Sequence, residues 1–194
     1  MSEINPVTIA DPGPLGLAGF GLTTCLLSAI NAGILPGADM GIVLPLAVAY
    51  GGTAQLLAGM WEFRKGNTFG ATAFTSYGAF WISFYLLITH ISSLGTATDM
   101  GVGAYLLMWG IFTLYMFIGT FYLNRALFLV FLFLTITFFL LAIANFSASS
   151  PALGGWMGLI TGILALYTSF AGIVNTTANQ VIIPVGGSVL KPRA

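Results

Sequence analysis

Six stretches of the chain are apolar over about 20 residues each, the length a helix needs to cross the hydrocarbon core of a bilayer. They fall at residues 15–35, 40–61, 71–92, 101–122, 125–146 and 154–174. Short polar or glycine- and proline-bearing connections separate them: Pro36, Gly37 and Asp39 after the first, Glu62, Arg64 and Lys65 after the second, and the small, polar SSLGTATDMG after the third. Asn124 and Arg125 form a very tight fourth connection, and SASSPALGG, with Pro151 and paired glycines, forms the fifth. The pattern predicts an all-α integral membrane protein, a six-transmembrane-helix bundle. It divides the chain into an N-terminal segment 1–10, a six-helix transmembrane unit 11–174 and a C-terminal tail 175–194, whose VIIPV lies along the membrane surface or packs beneath the bundle.

Composition agrees. Of 194 residues, 58% are hydrophobic and 5% are charged, where soluble domains carry about a quarter charged residues. The formal net charge is zero, which argues against nucleic acid as a partner. Cys25 is the single cysteine, so neither an internal disulfide nor a multi-cysteine metal site is expected. The first sixteen residues lack the basic region of a signal peptide, so the first span is expected to stay in the protein. With six crossings, all five basic residues (Arg64, Lys65, Arg125, Lys191 and Arg193) share the side of both termini. The positive-inside rule then places both termini in the cytoplasm.

Nothing in the chain reads as a catalytic motif, a cofactor loop or a metal-ligand set, so no enzyme, cofactor or metal is expected. His90, the one histidine, is read as a headgroup-level side chain or, alternatively, a proton relay. The third span carries neutral polar groups. At 100° per residue from Thr68, Thr72 falls near about 40°, Thr75 about 340°, Ser76 about 80° and Ser83 about 60°, one hydroxyl stripe. Tyr77 falls near about 180°, among Ala73, Phe80 and Phe84. Such hydroxyls bond back to carbonyls one turn earlier, glue helices together, or line the path of a polar solute. The same choice holds for Gln55 midway along the second span, Thr23, Thr24 and Asn31 in the first, and Asn145 in the fifth. Gly154, Gly158 and Gly162 form a small face suited to close helix packing. Trp61 and Trp156 suit the interfacial belts.

Three segments carry a resemblance: DPGPLGLAGFG at Asp11–Gly21, YGGTAQLLAG at Tyr50–Gly59 and GNTFGATAFTSYGAFW at Gly66–Trp81. Together they resemble the acetate uptake transporter family, which includes succinate–acetate permeases and yeast ammonia- and acetate-export relatives. The resemblance implies a homohexameric ring with one path per protomer, acetate and succinate as solutes, and an aromatic–leucine–tyrosine constriction. By motif these are Phe20, Leu134 and Tyr77, with Leu134 placed nine residues after Arg125. Gln55 is the glutamine of the second motif. Thr24, Gln55, Thr72, Thr75 and Ser76 are the candidate substrate-binding residues. Two departures stand out: Asp11 replaces the family's asparagine, so no ligand role is carried over there, and the C-terminal region lacks the acidic residues of relatives. The expectation is channel-like passage of short carboxylates among neutral donors (hydroxyls, an amide and backbone N–H groups) with no resident cation, Tyr77 supplying a donor beside an apolar gate. Alternatives are a proton-coupled acetate symporter, an ammonium or small neutral-solute channel, and a non-transporting scaffold.

Overall fold

The computed structural model describes residues 9–191, without the side chains at positions 90–92 and 94. The reading of His90 concerns one of those side chains, and residues 1–8 and Arg193 also lie outside the described residues. The elements are α1 (Gly13–Asn31), a 3-10 turn (Gly37–Asp39), α2 (Met40–Leu46), a π-helical segment (Ala47–Ala54), α3 (Gln55–Lys65), α4 (Thr68–Leu94), α5 (Asp99–Thr120), α6 (Arg125–Phe146) and α7 (Ala152–Ala178). The run Gly37–Lys65 is one crossing, so among the described residues six helices are long and apolar enough to span a membrane.

That second crossing is the irregular one. Pro45 withholds a backbone donor inside α2, and the wide π turns begin two residues later. Thr53 Oγ1 donates to Val48 O at 2.9 Å, five residues back, and ties the wide turn together. The crossing ends four residues later than expected, at Lys65, because Gly66 adopts φ 78° and closes it. Asn67 N then bonds Glu62 O at 3.0 Å and Gly66 N bonds Phe63 O at 3.1 Å, a paired C-terminal closure that needs a left-handed residue. Asn67 at once caps α4, its Oδ1 accepting from Gly70 N at 3.1 Å. Asn124 does the same for α6, accepting from Leu127 N at 2.9 Å.

The small face of α7 packs within the same chain. A Cβ on Gly162 would stand 2.9 Å from Gly21 O of α1, one on Gly158 would strike Ser28, and one on Gly154 would strike Leu141 of α6. α1 therefore lies between α7 and the π segment, α6 packs on α5 and α7, and α3 packs on α4. α4 reaches α6 through rings: Phe69–Phe131 centroids are 5.1 Å apart and Phe80–Phe138 5.3 Å. Large apolar side chains such as Trp61, Phe63, Ile118, Trp156, Ile163 and Phe170 point outward, as a lipid-facing surface requires. Several buried threonines bond back to the carbonyl four residues earlier: Thr23 to Gly19, Thr135 to Phe131 and Thr161 to Met157.

The tail folds back across the end of the bundle that carries the termini. Asn175 Oδ1 accepts from Ile182 N and Ile183 N, both at 2.8 Å. Val185 O accepts from Ala126 N at 3.0 Å, and Leu190 N donates to Phe121 O at 2.8 Å. Of the two placements expected for VIIPV, the one beneath the bundle is found.

Candidate functional site

A cavity of about 270 Å³ enters the bundle from the termini-bearing end, between α1, α3, α4, α6 and α7. Its walls are mostly apolar, and its inner limit includes Phe20, Tyr77 and Leu134. The common depth follows from helix geometry. Phe20 is seven residues into α1, while Tyr77 and Leu134 are each nine residues into α4 and α6. At 1.5 Å per residue this puts all three about 10–14 Å from the same end. Gln55, ten residues back from Lys65 at the end of α3, reaches the same level. Phe80 and Phe138, farther along, do not line the cavity.

Tyr77 is 2% exposed, and its ring is held on several sides, with centroids 5.5 Å from both Phe20 and Phe112. Its hydroxyl lies 2.8 Å from Thr113 Oγ1. That threonine donates to Trp109 O at 2.7 Å, and a hydroxyl has one proton. Thr113 must therefore accept, and Tyr77 must donate to it. In this geometry the phenol proton goes to Thr113, whereas the sequence reading directed it to the solute. The phenol proton is spent on α5, and the hydroxyl anchors the ring.

Gln55 carries the opposite signature. It is 1% exposed and lines the cavity, yet its side-chain oxygen has no hydrogen-bond partner. A buried amide left this way is costly unless something occupying the cavity satisfies it.

The mouth is charged, which the sequence reading did not anticipate. Lys65 Nζ and Asp11 Oδ1 form an exposed ion pair of 2.8 Å, so a cation does reside at the entrance. Asp11 Oδ1 also accepts from Gly13 N at 2.9 Å. Beneath the pair sits Glu62, 1% exposed, with Oε2 buried and unpartnered. Its neighbour is the Asn67 side chain, which hydrogen-bonds the carboxyl. Asp11, Asn67 and Asn124 each take up one backbone N–H there, those of Gly13, Gly70 and Leu127.

Four of the candidate binding residues lie off the cavity. The hydroxyl stripe of α4 points away from it because the cavity meets the opposite face, the one bearing Ala73 and Tyr77. Thr75 presses against Gly59 of α3, where an added Cβ would meet its backbone N at 2.7 Å. Ser76 borders a shallow outer groove with Met108, Trp109 and Phe112. Thr72 is half-buried and outside the cavity wall. Thr24 is buried one turn beyond Phe20, its hydroxyl without a partner. Gly154, Gly158 and Gly162 serve packing contacts with α1 and α6.

Known proteins share this architecture. The solved structure of the bacterial acetate channel SatP superposes with a TM-score of 0.88 at 42% identity, over 92% of this chain and 100% of that one. The succinate-acetate/proton symporter SatP of Escherichia coli (strain K12) is 44% identical over 93% of this chain and 97% of its own. Acetate permease A of Emericella nidulans is 42% identical over 91% of this chain and 65% of its own length. Ammonia transport outward protein 2 of Saccharomyces cerevisiae is 38% identical over 90% and 65%. Residues 1–187 match the GPR1/FUN34/yaaH family. This multi-pass membrane protein, with its one-ended cavity and the three sequence motifs that border it, belongs to that family.

Proposed function

We propose that the protein passes acetate, and succinate or other short carboxylates, across the membrane through this cavity, one path per protomer of a homohexamer. The observation that carries the reading is the meeting of Phe20, Tyr77, Leu134 and the Gln55 amide at one depth of one cavity. An anion leaving water needs hydrogen-bond donors, and the NH2 group of the Gln55 amide, not its unpartnered oxygen, offers them without the tight hold of a fixed cation. Phe20 and Leu134 accommodate the methyl group and set the width, while Tyr77 is a fixed wall of the constriction. Lys65 at the mouth draws the anion in over a few ångströms of screened water. Both termini, and with them the mouth, face the cytoplasm, in keeping with the basic residues gathered there.

The elementary step is channel-like. A proton-coupled symport is the second reading, favoured by the buried carboxyl of Glu62 on the cavity wall. Purified protein in liposomes, offered labelled acetate, succinate, urea and methylammonium with and without a pH gradient, tests both. Acetate flux that dissipates an imposed anion gradient without a pH gradient supports the channel. Uphill accumulation driven by a pH gradient, beyond that of protein-free liposomes, supports symport. Flux of urea or methylammonium in place of acetate defeats both.

A further inference from the structure

Glu62 sits where a charge is hard to keep. It occupies the last turn of α3 and is almost fully removed from water, with Oε2 unpartnered. The starts of α1 and α4 close over it. A Cβ on Gly70 would lie 2.9 Å from its carboxyl carbon, and one on Gly13 would lie 3.5 Å from Oε1. The charged groups facing it are Asp11, ahead of α1, and Lys65, on its own helix. Lys65 is already engaged by Asp11 at 2.8 Å. From the other elements the cavity receives the neutral side chains of Asn67, Asn124, Thr168 and Asn175, with Tyr77 deeper in. An ionised Glu62 thus has an incomplete set of partners and stands on the route a carboxylate must take.

We propose that Glu62 is a protonation switch at the cavity mouth, which admits carboxylate anions when neutral and turns them back when ionised. The step is reversible uptake of one proton from water by a carboxylate oxygen. No bond in the solute forms or breaks, and the proton returns to water on the same side. Neutral Glu62 removes the like charge and adds an O–H donor on the wall. Ionised Glu62 restores repulsion in a confined, poorly hydrated site, where like charges a few ångströms apart interact far more strongly than in bulk water. The entrance therefore makes carboxylate flux rise as pH falls, separately from the solute's own titration.

The inference rests on the carboxylate-transport reading, and the experiment separates the two. Labelled acetate flux is measured in proteoliposomes across a series of pH values for wild type and Glu62→Gln. Taking the ratio at each pH cancels the titration of acetate itself. The ratio of wild type to Glu62→Gln should fall by about tenfold or more toward high pH, the repulsion of one nearby like charge. Asp11→Asn gives an independent arm that leaves Glu62 in place. Releasing Lys65 to pair with Glu62 stabilises its ionised form, so the profile of this variant should lie toward acid of the wild-type one. A flat ratio together with an unmoved Asp11→Asn profile overturns the switch while leaving transport standing. Absence of acetate flux by wild type at every pH overturns both.

Discussion

At the mouth of the cavity, Asp11, Glu62, Lys65 and Asn67 crowd around the ends of α1, α3 and α4. About 10 Å deeper, by helix rise, Phe20, Tyr77 and Leu134 surround a single amide, Gln55. The two regions differ in how much water they can keep. The Asp11–Lys65 pair is 38–44% exposed, so its charges stay hydrated and contribute little to stability. The inner residues are all at most 5% exposed, and a charge fixed there would be costly. The division follows: short-range attraction and pH response belong to the charged mouth, while size and passage belong to the apolar depth. Putting both tasks at one level would require a buried ion pair, which binds an anion firmly but releases it slowly.

Removing the one deep donor should have the largest effect. Gln55→Leu keeps the approximate volume and removes the amide, and the expected loss of acetate flux is about tenfold to a hundredfold, the worth of a hydrogen bond to a charged group. Because the amide oxygen has no hydrogen-bond partner within the protein, the variant should unfold at the same temperature as wild type or higher. Lower flux with undiminished thermal stability marks a residue kept for passage. Wild-type flux would assign the anion's donors to the mouth alone and collapse the distinction between the two regions.

The next test concerns width. Phe20 packs against Tyr77 at 5.5 Å between centroids. Phe20→Ala should raise flux of butyrate relative to acetate by about tenfold, the discrimination typical of a methylene or two in an apolar site. It should also cost about 3–5 kcal/mol of stability, so Phe20→Leu provides a better-folded companion with a smaller shift in the same direction. Selectivity that stays fixed in both variants, measured by competition in proteoliposomes, would place the size filter elsewhere.

The sequence made the spans legible because apolar length needs no partner to be read. The tight turn at Asn124 and the glycine triplet of α7 were legible for a similar reason, since turns and close-packing faces are local signals. Glu62 was not. It stands in the charged run EFRKG and reads as connection, yet the helix continues to Lys65 and Gly66 turns the chain so that α4 covers the carboxyl. Periodicity grouped Thr72, Thr75 and Ser76 on one face of α4 but could not say what that face meets. The answer depends on α3, which arrives after eight residues of π-helix that no regular 100° spacing anticipates. The donor state of Tyr77 was equally hidden, because Thr113 lies 36 residues away on another helix.

That last contact gives the smallest and most discriminating test. Tyr77→Phe and Thr113→Val each delete the same 2.8 Å hydrogen bond while keeping the ring or the side-chain shape. If the phenol serves only to anchor the ring, both should lower acetate flux by about two- to tenfold, in line with a net hydrogen-bond value near 0.5–1.5 kcal/mol. The double variant should then be no worse than either single one, because the two side chains act through one bond. A Tyr77→Phe loss well beyond that of Thr113→Val, additive in the double variant, would mean that the hydroxyl turns from Thr113 to the passing anion. The apolar depth would then hold two donors instead of one, and Gln55 would share the anion with a wall that moves.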